Sequence, residues 1–286
     1  MVPSLPAYVT TLEQSVRFAL AEDMGSGDWT ARLSDDRTAR ARVLCRETAV
    51  VCGRPWVNEV FRQLDPAIVV DWQVTEGARV DADTVLFTLA GPARALLTGE
   101  RTALNFLQTL SGTATTVDRY VAAVAGTGCQ IVDTRKTLPG LRQAQKYAVL
   151  CGGGHNHRIG LYDGILIKEN HIAAAGGIEA AISAARALDA GVPLMTEAET
   201  LDEARAALAA DVDLLLVDDF PFDTLREAVR LTRAHRAAGG RTVVEYSGGA
   251  TLDTVRQYAE CRVDRISVGS ITKHLQAIDL SMRFID

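Results

Sequence analysis

The chain has 286 residues, a length that suits one large domain or two ordinary ones with a sizeable core. Hydrophobic residues make up 48% and charged residues 23%, which excludes a disordered or low-complexity protein and, with aromatics at only 6%, favours an α/β fold over an all-β sandwich. The net charge of −6 argues against a general nucleic-acid binder, so any basic cluster should have a local anionic partner.

The first hundred residues have the pattern of an α+β domain. Apolar side chains at helical spacing occupy residues 12–21, and four β-rich segments follow at 41–45, 49–52, 69–74 and 85–90. A long helical stretch over residues 99–125 then leads into the rest of the chain.

From residue 130 onward, apolar strands alternate with amphipathic helices. The candidate strands are 130–133, 164–168, 193–197, 213–217, 242–246 and 265–268. Helices are predicted at 178–188, 201–209, 224–236 and 252–260, several of them introduced by Thr or Asp caps. This alternation of βα units predicts a parallel sheet, either open and doubly wound or closed as a barrel.

Polar residues at the carboxyl end of every candidate strand favour the barrel. In a barrel these ends meet at one mouth, where active sites lie and where the last two strands supply phosphate-binding loops. Ser247-Gly248-Gly249 and Val268-Gly269-Ser270 stand at the positions of those loops.

Residues 133–171 form a cationic segment in an otherwise acidic chain. It carries Arg135, Lys136, Arg142, Lys146, Arg158 and Lys168, which predict a pocket for a small, multiply charged anion. Arg142 and Lys146, four residues apart on a predicted helix, fit a solvated helix face equally well. Because Arg158 would repel a cation, a metal site at His155 and His157 is disfavoured, and one of these histidines is expected to hydrogen-bond an anion or the backbone.

Two carboxylates, Glu197 and Asp218, end adjacent candidate strands. Across a barrel mouth they suit either Mg²⁺ beside a diphosphate or the stabilisation of a positively charged transition state, with capping of the next helix as the alternative. Glu199 and Asp219 are assigned to helix capping.

Five cysteines, with no CxxC pair among them, indicate reduced and mostly buried thiols of a cytoplasmic protein. No stretch approaches the roughly 18 apolar residues of a membrane span, and the N-terminus lacks a basic region followed by an apolar run. We therefore expect a soluble cytoplasmic protein with no membrane or nucleic-acid partner.

Several motifs occur in a specific order and spacing over nearly the whole chain. They are Ala21-Glu-Asp-Met-Gly-Ser-Gly-Asp28, Glu100-Arg-Thr-Ala-Leu-Asn-Phe106, Asp133-Thr-Arg-Lys-Thr-Leu-Pro-Gly-Leu-Arg142, Gly152-Gly-Gly-His-Asn-His-Arg158, Ile167-Lys-Glu-Asn-His-Ile172, Ser247-Gly-Gly249 and Val268-Gly-Ser-Ile-Thr-Lys-His274. Together they resemble the quinolinate phosphoribosyltransferase family. The resemblance implies an α/β fold with an N-terminal α/β sandwich and bridging helix over residues 1–112 and an open, seven-stranded α/β barrel, like that of type II phosphoribosyltransferases, over 113–286. The last helix would pack back on the first domain.

The resemblance also implies an activity and a homodimer. The phosphoribosyl group of phosphoribosyl pyrophosphate (PRPP) would be transferred to quinolinate with loss of CO2, giving nicotinate mononucleotide and pyrophosphate in de novo NAD biosynthesis. Substrate would contact Thr134, and quinolinate would be bound by Arg135, His157, Arg158, Lys168 and, from the neighbouring subunit, Arg101. Lys136, Glu197 and Asp218 would be catalytic, the two acids lying near the ribose hydroxyls and Mg²⁺. Backbone amides at Ser247, Gly248 and Gly249 and at Val268, Gly269 and Ser270 would hold the 5′-phosphate.

Three positions depart from the family pattern. Met195 replaces one of two expected carboxylates, which leaves Glu197 as the acid of that strand. Asp219 stands where Asn is usual, and Tyr246 stands where a small residue precedes Ser247. The Tyr246 side chain either narrows the phosphate turn or points into the outer helix layer.

Other functions fit part of the pattern. Lys168 suits the Schiff-base lysine of a barrel aldolase, although an aldolase has no need of so many strand-end cations. A molybdenum-transport-associated branch of the same superfamily shares the Arg-Lys-Thr segment but lacks the Ile-Lys-Glu-Asn-His block present here. A non-catalytic protein that binds the same anions without turnover is the third alternative.

Overall fold

The computed structural model describes residues 4–33, 35 and 37–285. Its helices are α1 (Leu12–Met24), α2 (Arg54–Leu64), α3 (Ala93–Ala123), α4 (Arg142–Cys151), α5 (Glu169–Ala175), α6 (Ile178–Ala187), α7 (Leu201–Ala209), α8 (Phe222–Ala237), α9 (Val255–Glu260) and α10 (Ser270–Lys273). Its strands are β1 (Thr38–Cys45), β2 (Ala49–Val50), β3 (Val69–Trp72), β4 (Arg79–Val80), β5 (Val85–Pro92), β6 (Gln130–Val132), β7 (Ile165–Ile167), β8 (Leu194–Ala198), β9 (Leu214–Asp218), β10 (Val243–Ser247), β11 (Arg265–Ser267) and β12 (Leu280–Ile285). None of the described helices is long and apolar enough to cross a membrane.

The chain divides into two compact units. Unit 1 comprises Met1–Asp118, Thr137–Gly153 and Ser270–Asp286, and unit 2 comprises Arg119–Lys136 and Gly154–Gly269. The domain boundary placed after residue 112 stays a prediction.

Unit 1 is built on an antiparallel sheet with the strand order β12-β1-β5-β3. Alternation along β1 buries Ala41, Val43 and Cys45, which pack in a core with Trp56 of α2 and Leu107 of α3. The sequence analysis assigned no strand to the residues of β12. This edge strand pairs with β1 on one side and is mostly half-exposed, so its sequence lacks a strong apolar alternation.

Glu76 fixes the start of α2 in unit 1. Its carboxylate accepts hydrogen bonds from the backbone N–H groups of Gly53 at 2.8 Å and Arg54 at 3.1 Å, two helix-start donors that have no partner within the helix. Burial raises the pKa of Glu76, and these two hydrogen bonds oppose the rise. The buried thiols of Cys52 and Cys151 lie beside this carboxylate. All five cysteines are free and four are buried, which confirms the predicted thiols.

Unit 2 is built on a parallel sheet with the strand order β6-β11-β10-β9-β8-β7, which fits an α/β barrel. All six candidate strands of this region are confirmed. A bridge between Val132 and His155 adds one parallel residue pair beyond β6, in the position of a seventh strand. The register places Glu197, Leu216 and Glu245 side by side on β8, β9 and β10, and Ala198, Val217 and Tyr246 in the next row.

Replacement of the Glu76 carboxylate should weaken unit 1. In Glu76→Ala the buried N–H of Gly53 and the N–H of Arg54 lose their acceptor, so we expect the free energy of unfolding to fall by about 2 kcal/mol or more. Glu76→Gln keeps one oxygen acceptor and should lose less. Chemical denaturation of the two variants measures the difference, and equal losses would contradict the capping role.

Candidate active site

A cavity of about 330 Å³ opens at the carboxyl ends of the parallel strands of unit 2. Its floor contains the row formed by Glu197, Leu216 and Glu245, because paired residues of parallel strands point to the same side of a sheet. The lining residues are Thr134, Arg135, Lys136, His157, Arg158, Leu166, Lys168, Glu197, Leu216, Glu245, Ser247 and Ser267. The structure therefore brings together the cations that the sequence analysis assigned to strand ends.

Four lining residues were missed by the sequence analysis, namely Leu166, Leu216, Glu245 and Ser267. Each stands two positions before a candidate strand-end residue, namely Lys168, Asp218, Ser247 and Gly269. Because side chains two apart on a strand share a face, counting back by two from each strand end would have found them.

The other candidate residues lie outside the cavity lining. Among them, Asp218 is close enough that its charge raises the pKa of Glu197. A Cβ atom on Gly269 would lie 3.0 Å from the Lys136 side chain, so this glycine permits close packing against it. Arg101 is exposed on α3 in unit 1. The remaining candidate residues outside the cavity lining are Gly248, Gly249, Val268 and Ser270.

Arg135 and Arg158 supply positive charge that no carboxylate of the described residues neutralises through an ion pair. The buried Nε of Arg135 has no hydrogen-bond partner in the part of the chain that the structure describes. Arg158 is held by a 2.9 Å hydrogen bond from Nη1 to the carbonyl of Gly164. Burial and the nearby charge of Arg135 lower the pKa of Arg158. Two half-buried guanidinium groups that repel each other favour a bound anion.

His157 is held in one orientation by its neighbours. The carboxylate of Asp133 accepts a hydrogen bond from the His157 N–H at 2.9 Å and another from the Asn156 side chain at 2.6 Å. The N–H of Arg158 donates to Nδ1 of His157 at 2.7 Å. Because Nδ1 accepts, a neutral His157 carries its proton on Nε2, which lies 3.7 Å from the Glu245 carboxylate. The Nδ1 contact agrees with the predicted backbone hydrogen bond.

Glu245 is a fully buried carboxylate beneath the cavity. Arg265 donates to its Oε2 at 2.6 Å, while its Oε1 has no hydrogen-bond partner among the described residues. Burial raises the pKa of Glu245, and the charge of Arg265 opposes that rise. The floor of the cavity therefore contains its own ion pair, separate from the cations above it.

Lys168 and Glu197 form the second ion pair of the site, with Nζ 2.5 Å from Oε2. Burial raises the pKa of Glu197, the hydrogen bond and charge of Lys168 oppose the rise, and the charge of Asp218 adds to it. A Schiff-base lysine needs an Nζ that is free to attack a carbonyl carbon, whereas the Nζ of Lys168 is held by the Glu197 carboxylate. This geometry therefore argues against the aldolase alternative.

The helix-capping roles assigned to Glu199 and Asp219 are wrong. Thr200 caps α7 by accepting from the N–H of Glu203 at 3.2 Å, and the Glu203 carboxylate in turn accepts from the N–H of Thr200 at 3.1 Å. This reciprocal Thr-x-x-Glu capping box leaves no cap position for Glu199. Asp219 has a φ of 53° and donates its N–H to the carbonyl of Ser247 at 2.8 Å, and Pro221 occupies the N-cap of α8.

Lys146 does not lie on a solvated helix face, so that alternative is wrong for this residue. Its side chain is fully buried in unit 1, on a helix where residues 144–149 are all buried. Arg142, at the start of the same helix, is half-buried.

Carboxylate oxygens of Glu169, Glu197 and Glu199 lie within 4.8 Å of one another. Oxygen donors of this kind are the ligands that Mg²⁺ prefers. The sequence analysis named only Glu197 and Asp218 as the acids near Mg²⁺. Neither Glu169 nor Glu199 was a candidate metal ligand there.

The fold and the cavity define an α/β protein with a cavity lined by several cations at the carboxyl ends of a parallel sheet. Comparison with known protein families narrows this class. The models for the N-terminal and C-terminal domains of quinolinate phosphoribosyl transferase match residues 28–111 and 113–283. The chain therefore belongs to the quinolinate phosphoribosyl transferase family.

Individual relatives agree with this assignment. The nicotinate-nucleotide pyrophosphorylase (carboxylating) of Mycobacterium leprae is 40% identical over 276 residues, which cover 94% of this chain and 95% of that protein. The human protein of the same name is 35% identical over 276 residues, covering 96% of this chain and 91% of its own. The solved structure of the nicotinate-nucleotide pyrophosphorylase from Francisella tularensis superposes with a TM-score of 0.92 at 43% identity, covering 96% of both chains.

Removal of the Lys168 charge should raise the pKa of Glu197 further. In Lys168→Met the buried carboxyl keeps the cost of burial and the repulsion from Asp218 but loses its cation. Titration of the Glu197 side chain by carbon-13 NMR measures the shift. Lys273→Met, which removes an exposed lysine of unit 1, should leave the pKa of Glu197 unchanged. An unchanged pKa in Lys168→Met would show that the ion pair does not control this carboxyl.

Proposed function

We propose that this chain transfers the phosphoribosyl group of PRPP to quinolinate with decarboxylation, releasing pyrophosphate, CO2 and nicotinate mononucleotide in de novo NAD biosynthesis. It would thus be a glycosyltransferase of pyridine nucleotide synthesis. The observation that carries the proposal is the pair Arg135 and Arg158, which line the cavity without an ion pair to any carboxylate of the residues that the structure describes. Membership of the family supplies the identity of the anion.

Quinolinate carries two adjacent ring carboxylates, and PRPP brings a diphosphate close to them. Arg135, Arg158 and Lys168 would offset the mutual repulsion of these groups and orient the pyridine nitrogen. His157 would complete the quinolinate side of the cavity, and Thr134 would contact substrate at the bend after β6. Lys136, at the same bend, would lie between the two substrates.

The lone pair of the pyridine nitrogen forms a bond to the anomeric carbon as the bond from that carbon to the pyrophosphate oxygen breaks. Positive charge then builds on the ribose, and the carboxylates of Glu197 and Asp218 would stabilise it. The positive charge on the alkylated nitrogen would next stabilise the electron pair left on the adjacent ring carbon when the 2-carboxylate leaves as CO2, and that pair would then bind a proton from solvent. No covalent bond to the enzyme is required.

Mg²⁺ fits the acidic side of this site. Glu197 and Asp218 would hold it directly or through PRPP, and Glu169 and Glu199 add carboxylate oxygens within 4.8 Å of Glu197. When bound, Mg²⁺ would offset negative charge on the diphosphate. The oxygen-only donor set suits this ion better than a thiophilic metal.

The turns at 247–249 and 268–270 would bind the 5′-phosphate of PRPP. The N–H groups of Gly248, Gly249 and Ala250 have no acceptor among the described residues. Consecutive amides of this kind form anion-binding concavities. Both turns follow strands adjacent in the sheet, β10 and β11.

We infer that the protein is a homodimer in which Arg101 reaches the site of the neighbouring subunit. Thr98, one helical turn before Arg101 on α3, donates a 2.9 Å hydrogen bond to Asp28. This contact places the loop after α1 on the Arg101 side of α3, and there Trp29 is 68% and Leu33 86% exposed. Exposed apolar side chains next to a cation without an ion-pair partner in the described chain fit a subunit interface.

We place the protein in the cytoplasm. Five free cysteines suit a reducing compartment.

Release of pyrophosphate and CO2 on mixing quinolinate, PRPP and Mg²⁺ tests the reaction. Arg135→Met and Arg158→Met should each lower kcat/KM for quinolinate at least about 30-fold, which corresponds to roughly 2 kcal/mol of lost transition-state binding. Arg205→Met, which removes an exposed arginine of α7 paired with Asp202, is the matched control and should retain wild-type kinetics. Wild-type kcat/KM in both site variants would contradict the proposed quinolinate pocket.

Mixing two inactive variants tests the shared site. Arg101→Met and Arg158→Met would each be inactive alone, but heterodimers formed after mild denaturation and refolding would contain one site with both arginines intact. Recovery of up to about a quarter of wild-type activity is then expected from random pairing. If Arg101 serves its own subunit, the mixture stays as inactive as each variant refolded alone.

A further inference from the structure

Tyr246 belongs to the strand row that points away from the cavity. On β10 it pairs with Val217 and Ile266, whereas the preceding residue, Glu245, faces the cavity. Its fully buried ring stacks on Tyr258 of α9 at 4.0 Å between ring centroids, and Tyr258 stacks on Phe222 of α8 at 4.8 Å. Of the two orientations considered from the sequence, the structure has the ring in the helix layer.

The hydroxyl of Tyr246 reaches from this stack back to the turn at 247–249. It donates a hydrogen bond to the carbonyl oxygen of Gly248 at 3.1 Å. The preceding carbonyl, that of Ser247, accepts the N–H of Asp219 at 2.8 Å. Two successive carbonyls of the turn are therefore held by donors from outside the cavity.

The space around Gly248 shows how closely these donors approach. A Cβ atom there would lie 2.8 Å from the backbone of Asp219 and 2.8 Å from the Tyr246 hydroxyl, and the φ of 140° also disfavours any other residue. The hydroxyl thus contacts a turn that has no room to shift toward it. Burial raises the pKa of Tyr246, so the phenol keeps the proton that it donates.

We propose that Tyr246 is a positioning residue for the phosphate of PRPP. By holding the Gly248 carbonyl toward the helix layer, its hydroxyl keeps that oxygen away from the anion and leaves the amides of Gly248, Gly249 and Ala250 for the phosphate. A carbonyl free to rotate toward the phosphate would repel it. The inference rests on the proposed function, in which this turn binds the 5′-phosphate.

Tyr246→Phe keeps the ring stack and removes only the hydroxyl. We expect the KM for PRPP and the inhibition constant of ribose 5-phosphate each to rise about 3- to 10-fold, the range for loss of one neutral hydrogen bond. The KM for quinolinate and the kcat at saturating PRPP should stay within about twofold of wild type. Tyr162→Phe removes the hydroxyl of an exposed tyrosine of unit 2 that belongs to neither the stack nor the turn, and it should leave all four constants near wild type.

Two variants of Gly249 that differ only in charge test phosphate binding by the turn at 247–249 independently of Tyr246. Its φ of 68° is one that Asn and Asp tolerate, and no atom lies within 4 Å of an added Cβ. Gly249→Asp should weaken ribose 5-phosphate binding at least about 10-fold relative to Gly249→Asn, because the two side chains differ only in charge.

The results of these experiments distinguish the positioning role of Tyr246 from phosphate binding by the turn. An unchanged inhibition constant in Tyr246→Phe, with a clear difference between the Gly249 variants, would overturn the role of Tyr246 and leave the phosphate turn in place. Equal weakening of both substrates in Tyr246→Phe, with a lowered Tm, would reduce Tyr246 to a packing residue. Equal binding by the two Gly249 variants would overturn the phosphate turn and the positioning role with it.

Discussion

The repulsion between two neighbouring guanidinium groups, which the charge of Asp163 offsets only in part, is the constraint on which the site depends. Arg135 and Arg158 repel each other, and burial adds to the cost of keeping Arg158 charged. Neither gains an ion pair from the described chain, so the scaffold must hold them together by other means. It does so with a short polar bend after β6, where Thr134 accepts the N–H of Lys136 at 3.0 Å, and with the Gly164 carbonyl that fixes Arg158. A multiply charged anion would gain binding energy at these two guanidinium groups, because neither forms an ion pair within the described chain.

The acids of the site are placed so that they do not cancel this charge. Glu197 is paired with Lys168, and Glu245 is paired with Arg265 below the cavity floor. Both pairs lie on the strand row that faces the cavity, on either side of Leu216. Met195, which stands two residues before Glu197 on the same face of β8, packs with Leu214 and Leu216 in a small apolar cluster of unit 2. The carboxylate missing at this position is thus replaced by apolar packing, and Glu197 remains the acid of its strand that faces the cavity.

Much of this arrangement follows from sequence because parallel strands place their chemistry at their carboxyl ends. Arg135, Lys168 and Ser247 could be assigned without coordinates, since each ends an apolar run of strand length. The buried partners could not be assigned in the same way. Glu245 lies inside its strand, where only alternation counted back from Ser247 places it on the cavity face, and the register confirms that Tyr246 lies on the other face. The caps of α7 and α8 were misassigned because several polar residues compete at each helix start and the winner depends on local backbone geometry, a Thr-Glu box in one case and Pro221 in the other.

The charge of Glu197 would affect substrate binding and bond cleavage in the proposed reaction in opposite directions. Burial raises its pKa, so this carboxyl takes up a proton at a higher pH than an exposed glutamate would. Protonation removes one negative charge beside Lys168 and makes the cavity more positive, which favours the binding of anionic substrates. The same protonation removes a group that would stabilise positive charge on the ribose as the diphosphate leaves. Substrate binding and bond cleavage would therefore place opposite demands on one carboxyl. The hydrogen bond and charge of Lys168 oppose the rise in the pKa of Glu197 and would favour the ionised form that bond cleavage needs.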